Sequence, residues 1–594
     1  MPAGPTSRGK VVVSEHSASG ANPVRLMDRL LARWLLRRAG PTVLTSQPEP
    51  RAVGQFARGQ QMLAGNFLMA GEFLAAPAGR VPFDATSAAA LEALHGFVWL
   101  DDLATVGDSR ARALAQAGLE EWFARFGAGR GPGWTPGLVG RRTIRWIVHA
   151  VFLMQGMAPA RQDHFLRALA QHAGLLARRA GRAAPGLPRI EAQVGLLYAT
   201  LALGGMEARV PQASAGVLAA AEDQIAPDGG IATRNPEDLL AVFELLTWAA
   251  QALADHDRPL NEKLGGLLDR VAGALRVLRH ADGGLARFHG GGRGAEGVLA
   301  AALGIHDDLR KRTALRPADQ AMGYARLAAG RCTVIIDAAP PPLGAAPAQA
   351  HASTLAFEMT SNRRPVIVSC GDGRSFGPEW HRASRATASH STLAFEGYSS
   401  ARFARTHKAQ AELADGPRAV GLEFRHAPHA RAVALSHDGY VASHGLEHLR
   451  HLDLSADGRV LSGEDVLLAT TRAERRRFDE VLARTGGAGL PLALRFHLHP
   501  EAEPSLDMNG TAVSIGLRSG EIWVLRAEGM MLDLAPSVYL EKGRLKPRPS
   551  QQIVLSSRAR DYTTRLNWSL AKAQDMPVAM RDLVTDDPLA LHDL

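Results

Sequence analysis

Cysteine is scarce in this chain of 594 residues, which contains only Cys332 and Cys370. Two thiols are too few for a disulfide framework or for a zinc site built from four thiolates. The redox environment of the protein therefore cannot be inferred from its cysteines. A chain of this length can bury enough apolar surface for at least two domains without cross-links.

Long apolar runs are also missing. A transmembrane helix needs about 20 consecutive apolar residues, and the best candidates, residues 146–157 and 194–203, are shorter. We predict no membrane span. Residues 26–36 are amphipathic and are interrupted by Asp28, Arg29 and Arg33, so they do not form the apolar core of a signal peptide. By sequence alone, the absence of a recognisable export signal favours the cytoplasm.

Lysine occurs only seven times, so arginine carries most of the positive charge. The chain has 68 basic and 59 acidic residues and a net charge of +9. A basic chain suits a polyanionic partner such as nucleic acid or an acidic polysaccharide. A genome biased towards alanine and arginine would produce the same excess, and composition alone leaves both interpretations open.

From about residue 23 to about residue 315, apolar residues recur with a helical period. One stripe follows Pro236 and comprises Leu239, Val242, Phe243, Leu246, Ala250 and Leu253. Similar stripes predict helices over residues 109–126, 141–154, 163–177, 190–203, 213–225, 261–278 and 296–303. Short connections predict antiparallel hairpins of helices, arranged as a bundle, a solenoid or a closed toroid.

After a proline-rich break at residues 339–347, the pattern changes to short strand-like runs. The dipeptides Asp438-Gly439, Asp457-Gly458 and Asn509-Gly510 favour type I′ hairpin turns, which connect antiparallel strands. We therefore predict a disordered arm at residues 1–22, a helical domain at residues 23–320 and an antiparallel β-sandwich domain at residues 321–594.

Residues 350–403 hold most of the chemically reactive side chains. They include two near-repeated elements, HASTLAF with His351 and SHSTLAF with His390. Together with LHGFVWLDDLA (94–104), PDGGIATRNP (227–236) and RFHLHP (495–500), this segment resembles the heparinase II/III-like polysaccharide lyases over nearly the whole chain. The resemblance implies an α/α toroid, an incomplete barrel of helical hairpins, followed by an antiparallel β-supersandwich. It also implies a sugar cleft between them that cleaves acidic polysaccharides by β-elimination.

β-Elimination of a uronate has three chemical requirements. The enzyme must neutralise the sugar carboxylate, remove the hydrogen from C5 and donate a proton to the leaving oxygen. The resemblance places Asn235 as the residue that neutralises the carboxylate. The sequence Asn235-Pro236-Glu237-Asp238 is equally typical of a helix start capped by asparagine, and the two roles are partly compatible.

The tyrosine of the family has no match in this chain. By chain order it falls near residues 285–294, where the sequence LARFHGGGRG offers His289 instead. A neutral imidazole is able to act as a base near neutral pH, although a solvated loop histidine is the alternative. His351 and His390 complete the predicted pool of proton-handling residues.

Zinc is a possible cofactor by resemblance, because some family members hold it with a His, Asp, His set. His351 and His390 match the two imidazoles, but Ser369 stands in the place of the aspartate. Cys370 or Asp372 would have to supply the third ligand. Gln349 occupies the place of the catalytic histidine of those members.

Several further residues are candidates for binding the substrate. Arg234, Arg374, Arg382 and Arg385 carry guanidinium groups that bind carboxylates and sulfates through two hydrogen bonds. The indole of Trp134 is able to stack on a sugar or to fill the core.

We predict a polysaccharide lyase-like protein that acts on a uronate-containing glycan such as heparan, chondroitin, alginate or glucuronan. The predicted partner is an acidic polysaccharide and not nucleic acid. The alternative is a catalytically degenerate member that binds glycan or helps to assemble the cell envelope. A glycoside hydrolase would need two opposed carboxylates, and Asp228 and Glu237 do not form an obvious pair. Family resemblance favours the envelope or periplasm, so the location stays open, as does the oligomeric state.

Overall fold

The computed structural model describes residues 24–38, 42–311, 318–342, 349–403 and 413–575. The predicted disordered arm, residues 1–22, lies outside these ranges. Within the described residues, a helical N-terminal half is followed by a C-terminal half of antiparallel sheets. This arrangement of a helical toroid and a β-sandwich confirms the predicted fold class.

The helical half contains α1 to α13 and one small hairpin, β1–β2. The helices are α1 (Leu26–Arg38), α2 (Phe56–Leu63), α3 (Ala88–His95), α4 (Trp99–Val106), α5 (Ser109–Phe126), α6 (Pro136–Val148), α7 (Ala150–Met154), α8 (Pro159–Arg179), α9 (Leu187–Ala202), α10 (Val210–Gln224), α11 (Pro236–Asp255), α12 (Glu262–Leu278) and α13 (Val298–Arg310). The hairpin strands are β1 (Asn66–Met69) and β2 (Glu72–Ala75). Helix α9 packs against α6, α8, α10 and α11, and α11 packs against α12 and α13.

Local sequence explains where several of these helices begin. Ser87, Asp108, Thr135 and Asn261 each accept a hydrogen bond from a backbone N–H in the first turn of α3, α5, α6 and α12. The apolar stripe predicted after Pro236 is buried along α11. In the described part of the chain, no helix is both long and apolar enough to cross a bilayer.

The sheet half consists of two large antiparallel sheets and one two-stranded antiparallel sheet, which pairs its seventh and eighth strands, β9 and β10. Its strands are β3 (Gln320–Ala321), β4 (Tyr324–Ala329), β5 (Cys332–Asp337), β6 (Phe357–Ser361), β7 (Arg364–Val368), β8 (Leu393–Phe395), β9 (Arg402–Phe403), β10 (Leu413–Asp415), β11 (Val420–Phe424), β12 (Ala430–His437), β13 (Glu447–Ser455), β14 (Val460–Leu468), β15 (Leu490–Leu498), β16 (Ala502–Asp507), β17 (Ala512–Leu517), β18 (Ile522–Ala527), β19 (Met531–Tyr539), β20 (Arg548–Ala559) and β21 (Thr563–Gln574). One sheet has the order β11-β12-β13-β14-β21-β18-β17-β16. The other has the order β19-β20-β15-β7-β6-β5-β4-β3, with β8 also paired to β15.

Aromatic side chains fill the space between the two sheets. Phe357 and Phe496 belong to one sheet and Trp568 to the other, and their ring centroids lie 4.8 to 6.1 Å apart. Three short helices, α14 (Pro378–Ser384), α15 (Val441–His444) and α16 (Arg472–Ala483), lie in connections between strands.

The three predicted hairpin turns differ in conformation. Asn509 and Gly510 both have positive φ angles, 56° and 84°, between β16 and β17. The turn between β13 and β14 has a positive φ only at Gly458, and Asp438-Gly439 leads instead into α15. The type I′ prediction for these last two sites is therefore wrong, although both lie between antiparallel neighbours.

The two halves of the chain are in direct contact. Helix α13 ends at Arg310, and the first strand of the sandwich begins at Gln320. The guanidinium of Arg326 on β4 donates hydrogen bonds to the carbonyl oxygens of Val277 and Arg279, at the end of α12. The sheet half therefore covers one end of the helical half, and the candidate site lies at this junction.

Candidate functional site at the junction of the two halves

Four loops meet at the junction. The helical half supplies the turn before α11, with Asn235, and the loop between α12 and α13, with His289. The sheet half supplies the loop before β6, with His351, and the loop between β7 and β8, with His390. The structure thus brings all four predicted catalytic residues to one place.

His289 is held by the sheet half. Its backbone has a positive φ of 47° and its side chain is fully buried. Its Nδ1 accepts a hydrogen bond from the backbone N–H of His351 at 3.1 Å, so the ring proton lies on Nε2. Nε2 faces Asp337 Oδ2 at 3.3 Å. Burial lowers the pKa of His289, and the neighbouring Asp337 carboxylate opposes this shift.

His351 and His390 form a buried pair. His351 Nδ1 lies 3.2 Å from His390 Nε2, and His390 Nδ1 lies 3.1 Å from Ser369 Oγ. Burial lowers the pKa of His390 to about 3 and holds the pKa of His351 well below its usual value. Both rings are therefore neutral near pH 7, and one N–H is shared between the facing nitrogens.

Asn235 is the N-cap of α11, which confirms that interpretation of the sequence. Its Oδ1 accepts hydrogen bonds from the backbone N–H groups of Glu237 and Asp238, at 2.9 and 3.3 Å. Its Nδ2 donates to Gln349 Oε1 at 3.4 Å, across the junction. A Cβ at Gly291 would lie only 2.6 Å from Asn235 Oδ1, so glycine is required for this close approach.

The guanidinium of Arg234 is hydrogen-bonded to other parts of the protein. This contradicts the prediction that Arg234 binds the substrate. The guanidinium donates to the Asp337 carboxylate and to four carbonyl oxygens, those of Met322, Gly323, Ala339 and Pro340. The Asp337 carboxylate also accepts a hydrogen bond from Ser353 at 2.7 Å. Arg234 is therefore a brace between the two halves and has no donor directed at an open cleft.

Trp134 is a core residue, so its predicted contact with sugar is wrong. Its side chain is fully buried and its indole N–H donates to the Phe126 carbonyl at 2.9 Å. Its ring packs against Trp122 at a centroid distance of 5.6 Å. No face of the indole is left for a ligand.

The other predicted arginines differ in position. Arg385 is buried, donates through Nε to the Ala350 carbonyl at 2.8 Å and so supports the loop that carries His351. Arg382 is exposed. Arg374 donates to Asp372 at 2.8 Å and to the Gly290 carbonyl at 3.1 Å, next to His289. Of the three, Arg374 bridges the junction most directly.

The residues at the predicted zinc site do not fit zinc. Cys370 Sγ faces His497 Nδ1 at 3.5 Å, and Asp372 is bonded to Arg374, so neither completes a site with His351 and His390. Across the described residues, no group of three or more His, Cys, Asp or Glu side chains is arranged to hold a metal ion. Two imidazole nitrogens alone do not satisfy the four-coordinate preference of zinc. The described residues therefore offer no third ligand for zinc beside His351 and His390.

Two residues at the junction were not predicted from the sequence. Asp337 contacts both Arg234 and His289 from the end of β5, and its only sequence signal is an acidic residue that closes the apolar run CTVIID. Tyr324 donates its hydroxyl to the Arg234 carbonyl at 2.6 Å, and its ring centroid lies 6.4 Å from that of His289. Burial raises the pKa of Tyr324 well above its usual value, which keeps the phenol protonated.

The junction is closed around these groups. Asn235, His289 and His390 have no exposed surface, and His351 retains 1%. Lys542 from the sheet half forms an ion pair with Glu237, which also accepts a hydrogen bond from the Gly292 N–H at 2.8 Å. The neutral imidazoles are able to accept or donate a proton, and the Asn235 amide is able to donate a hydrogen bond to a carboxylate. In the structure as it stands, all four side chains are closed off from solvent.

Comparisons with known proteins agree with this architecture. Residues 311–569 match the family profile "Heparinase II/III-like, C-terminal". FtsZ-localized protein C from Caulobacter vibrioides is 32% identical over 544 residues, which cover 90% of this chain and 91% of that protein. A solved structure of heparinase III superposes with a TM-score of 0.67 at 14% identity, covering 91% of this chain and 89% of that one. A mutant of the heparan sulfate lyase HepC from Pedobacter heparinus gives 0.57 at 14% identity, covering 92% and 88%.

The two solved structures share the fold, and the profile and the Caulobacter relative together cover nearly the whole chain. The chain belongs to the heparinase II/III-like family.

Proposed function

We propose that this protein is a member of the family that does not cleave glycans and that works in an assembly containing FtsZ. One observation carries the proposal: the imidazoles that would have to exchange protons with a sugar are sealed inside the contact between the two halves. The second support is the relative at 32% identity over 90% of the chain, whose name describes localisation with FtsZ.

β-Elimination needs a base in contact with C5 and an acid in contact with the leaving oxygen. In this chain His289 Nδ1 is bonded to the His351 backbone and its Nε2 faces Asp337 at 3.3 Å. His351 Nδ1 faces His390, and its Nε2 is buried without a hydrogen-bond partner among the described residues. The tyrosine that the family resemblance implies is replaced by His289. Tyr324, the phenol nearest to that ring, donates its proton to a backbone carbonyl. These groups stabilise the junction and leave no proton donor facing solvent.

A second candidate function is elimination of a uronate glycan after the halves separate. The observation that favours it is the convergence of Asn235, His289, His351 and His390, the residue types that such chemistry uses. Arg374, on the edge of the same site, would bind the sugar carboxylate in that case.

Two assays on the full chain separate these functions. In the first, the protein is sedimented with FtsZ polymerised by GTP, and we expect it to enter the pellet only when polymer is present. Equal pelleting without FtsZ, or none with it, would contradict the proposed assembly role.

In the second assay, the protein is incubated with heparan, chondroitin, alginate and glucuronan, and the ultraviolet absorbance of the C4–C5 double bond is followed. We expect no increase over a sample without protein. An increase that disappears in His351→Ala and Asn235→Ala, with the fold retained, would establish elimination and overturn the non-cleaving proposal.

A further inference from the structure

A thiol, an imidazole and a hydroxyl meet in the sheet half, in a cluster that has no role in the functions considered above. Cys370 follows β7, His497 lies on β15 and Ser537 lies on the edge strand β19. Cys370 Sγ lies 3.5 Å from His497 Nδ1 and 3.9 Å from Ser537 Oγ. The Ser537 hydroxyl lies 2.8 Å from the same Nδ1. One imidazole nitrogen therefore faces both a thiol and a hydroxyl.

A backbone carbonyl fixes the position of the ring proton of His497. His497 Nε2 lies 2.9 Å from the carbonyl oxygen of Ala388, and this oxygen is able only to accept a hydrogen bond. The proton of the neutral ring is therefore on Nε2, and Nδ1 is the acceptor that faces the thiol. An imidazole oriented in this way is a base for the proton of a neighbouring cysteine.

Arg287, from the helical half, brings a positive charge to the same cysteine. Its Nη2 donates a hydrogen bond to the Cys370 carbonyl at 3.1 Å, and its guanidinium lies over the ring of Tyr539 at 3.9 Å from the centroid. Arg287 is 6% exposed, and its Nη1 has no hydrogen-bond partner among the described residues. A buried cationic donor of this kind is suited to an oxygen that carries negative charge.

The two cysteines of the chain are similarly buried but differ in their surroundings. Cys332 is 2% exposed and Cys370 is 4% exposed. Burial raises the pKa of Cys332 to about 12. Burial also acts to raise the pKa of Cys370, but the imidazole, the hydroxyl and the guanidinium outweigh it and lower that pKa below its usual value. A difference in reactivity between the two thiols would therefore reflect their partners and not their exposure.

We propose that Cys370 is a site of oxidation by hydrogen peroxide, with His497 as the base that accepts the thiol proton. Ser537 keeps part of its surface exposed at the edge of the sheet, so a small oxidant comes within one side chain of the sulfur. Cys332, which has no imidazole beside it among the described residues, is the unreactive thiol of the chain.

The reaction balances without any further reagent. The thiolate sulfur attacks one oxygen of the peroxide, and the O–O bond breaks as the S–O bond forms. The hydroxide that leaves takes the proton from His497 and becomes water. Cys370 is thereby oxidised to a sulfenic acid and the peroxide is reduced, while Arg287 Nη1 is the donor for the new oxygen.

The test is oxidation of the full folded chain by hydrogen peroxide in the presence of dimedone, which traps sulfenic acids. Mass spectrometry of the peptides then locates the adduct on each cysteine. We expect at least about tenfold more adduct on Cys370 than on Cys332. In urea the two thiols lose their surroundings and should react alike, which calibrates the ratio. Equal labelling of the two in the folded protein, or no adduct on Cys370, would overturn the proposal.

His497→Gln tests the base. It should slow the formation of the adduct on Cys370 at least about fivefold, because glutamine does not accept the thiol proton. The matched control is His444→Gln, since His444 is also 4% exposed and contacts a serine hydroxyl through Nδ1 at 2.8 Å, that of Ser443. This control should react like the wild type, and the unfolding midpoint of each variant shows whether the fold is kept.

A wild-type rate in folded His497→Gln, or an equal loss in both histidine variants, would contradict the role of His497. If His497→Gln does not fold, the ratio of Cys370 to Cys332 in the wild type still decides the proposal. The assay contains neither FtsZ nor a glycan, so its failure leaves the proposed function standing.

Discussion

Arg234, just before helix α11, and Asp337, at the end of strand β5, form an ion pair across the junction of the two halves. The Asp337 side chain is fully buried and that of Arg234 keeps 11% of its surface. The same carboxylate faces His289. This pair therefore connects the attachment of the two halves directly to the histidines of the candidate site.

Replacing Arg234 should strongly destabilise the protein. Arg234→Ala leaves Asp337 as a buried charge without its partner, and such changes lower the free energy of unfolding by about 3–5 kcal/mol. Urea denaturation followed by circular dichroism measures the effect. Arg382→Ala is the control, because Arg382 is exposed, and its effect should stay within about 0.5 kcal/mol. Similar midpoints for the two variants would show that the brace contributes little.

Acid should destabilise the fold through its buried histidines. Burial lowers the pKa of His390 to about 3 and also lowers those of His289 and His351. The unfolded chain protonates these rings near their ordinary value of about 6.5. Below about pH 6.5 the unfolded state binds more protons than the folded state. The contribution of these rings to the free energy of unfolding is therefore complete above about pH 6.5 and is lost as the pH falls towards about 3.

Each such histidine contributes a slope of about 1.4 kcal/mol per pH unit below pH 6.5. Urea midpoints measured from about pH 7.5 to about pH 5 give the total slope. His390→Gln removes one titrating ring. The slope of the free energy of unfolding against pH should therefore fall by about 1.4 kcal/mol per pH unit. A curve with unchanged slope would mean that His390 titrates normally in the folded protein.

Asn235 and Asn261 form a matched pair of helix caps. Each accepts backbone hydrogen bonds at the start of a long helix, α11 or α12. Asn261→Ala should lower the free energy of unfolding by about 1 kcal/mol. Asn235→Ala should lower it by about 2 kcal/mol or more, because the buried amide also contacts Gln349 across the junction. Equal losses would indicate that the contact with Gln349 adds nothing to the cap.

Chelators should leave the protein unchanged. His351 and His390 offer two nitrogens that already face each other, and Ser369 interacts with the far side of the second ring. We expect the same melting temperature with and without a chelator, and no increase on adding zinc. A rise with zinc that disappears in His390→Ala would show that a metal site forms after all.

The elements of this fold were largely predictable because they depend on neighbouring residues. The helix predicted over residues 109–126 agrees with α5. The cap at Asn235 was predictable from the local sequence Asn235-Pro236-Glu237-Asp238, which is typical of a helix start. The gathering of Asn235, His289, His351 and His390 was reached only through family resemblance.

The contacts of Arg234 and Trp134 were not predictable, since their partners come from other segments of the chain. Nothing near Arg234 in the sequence indicates that its guanidinium faces Asp337, and nothing near Trp134 distinguishes a core indole from one that stacks on sugar. The exposure of Leu30 and Trp34 could not be anticipated either, because the side of α1 that packs on α8 is decided by tertiary contacts.

The double contact of Asp337 also constrains the order in which the protein matures. Arg234 and His289 leave the ribosome before Asp337 does, so the helical half is made while both side chains lack their carboxylate. These two side chains gain that carboxylate only once β5 has been synthesised and docked. A helical half released without the later segment would lack the acceptor that both side chains share.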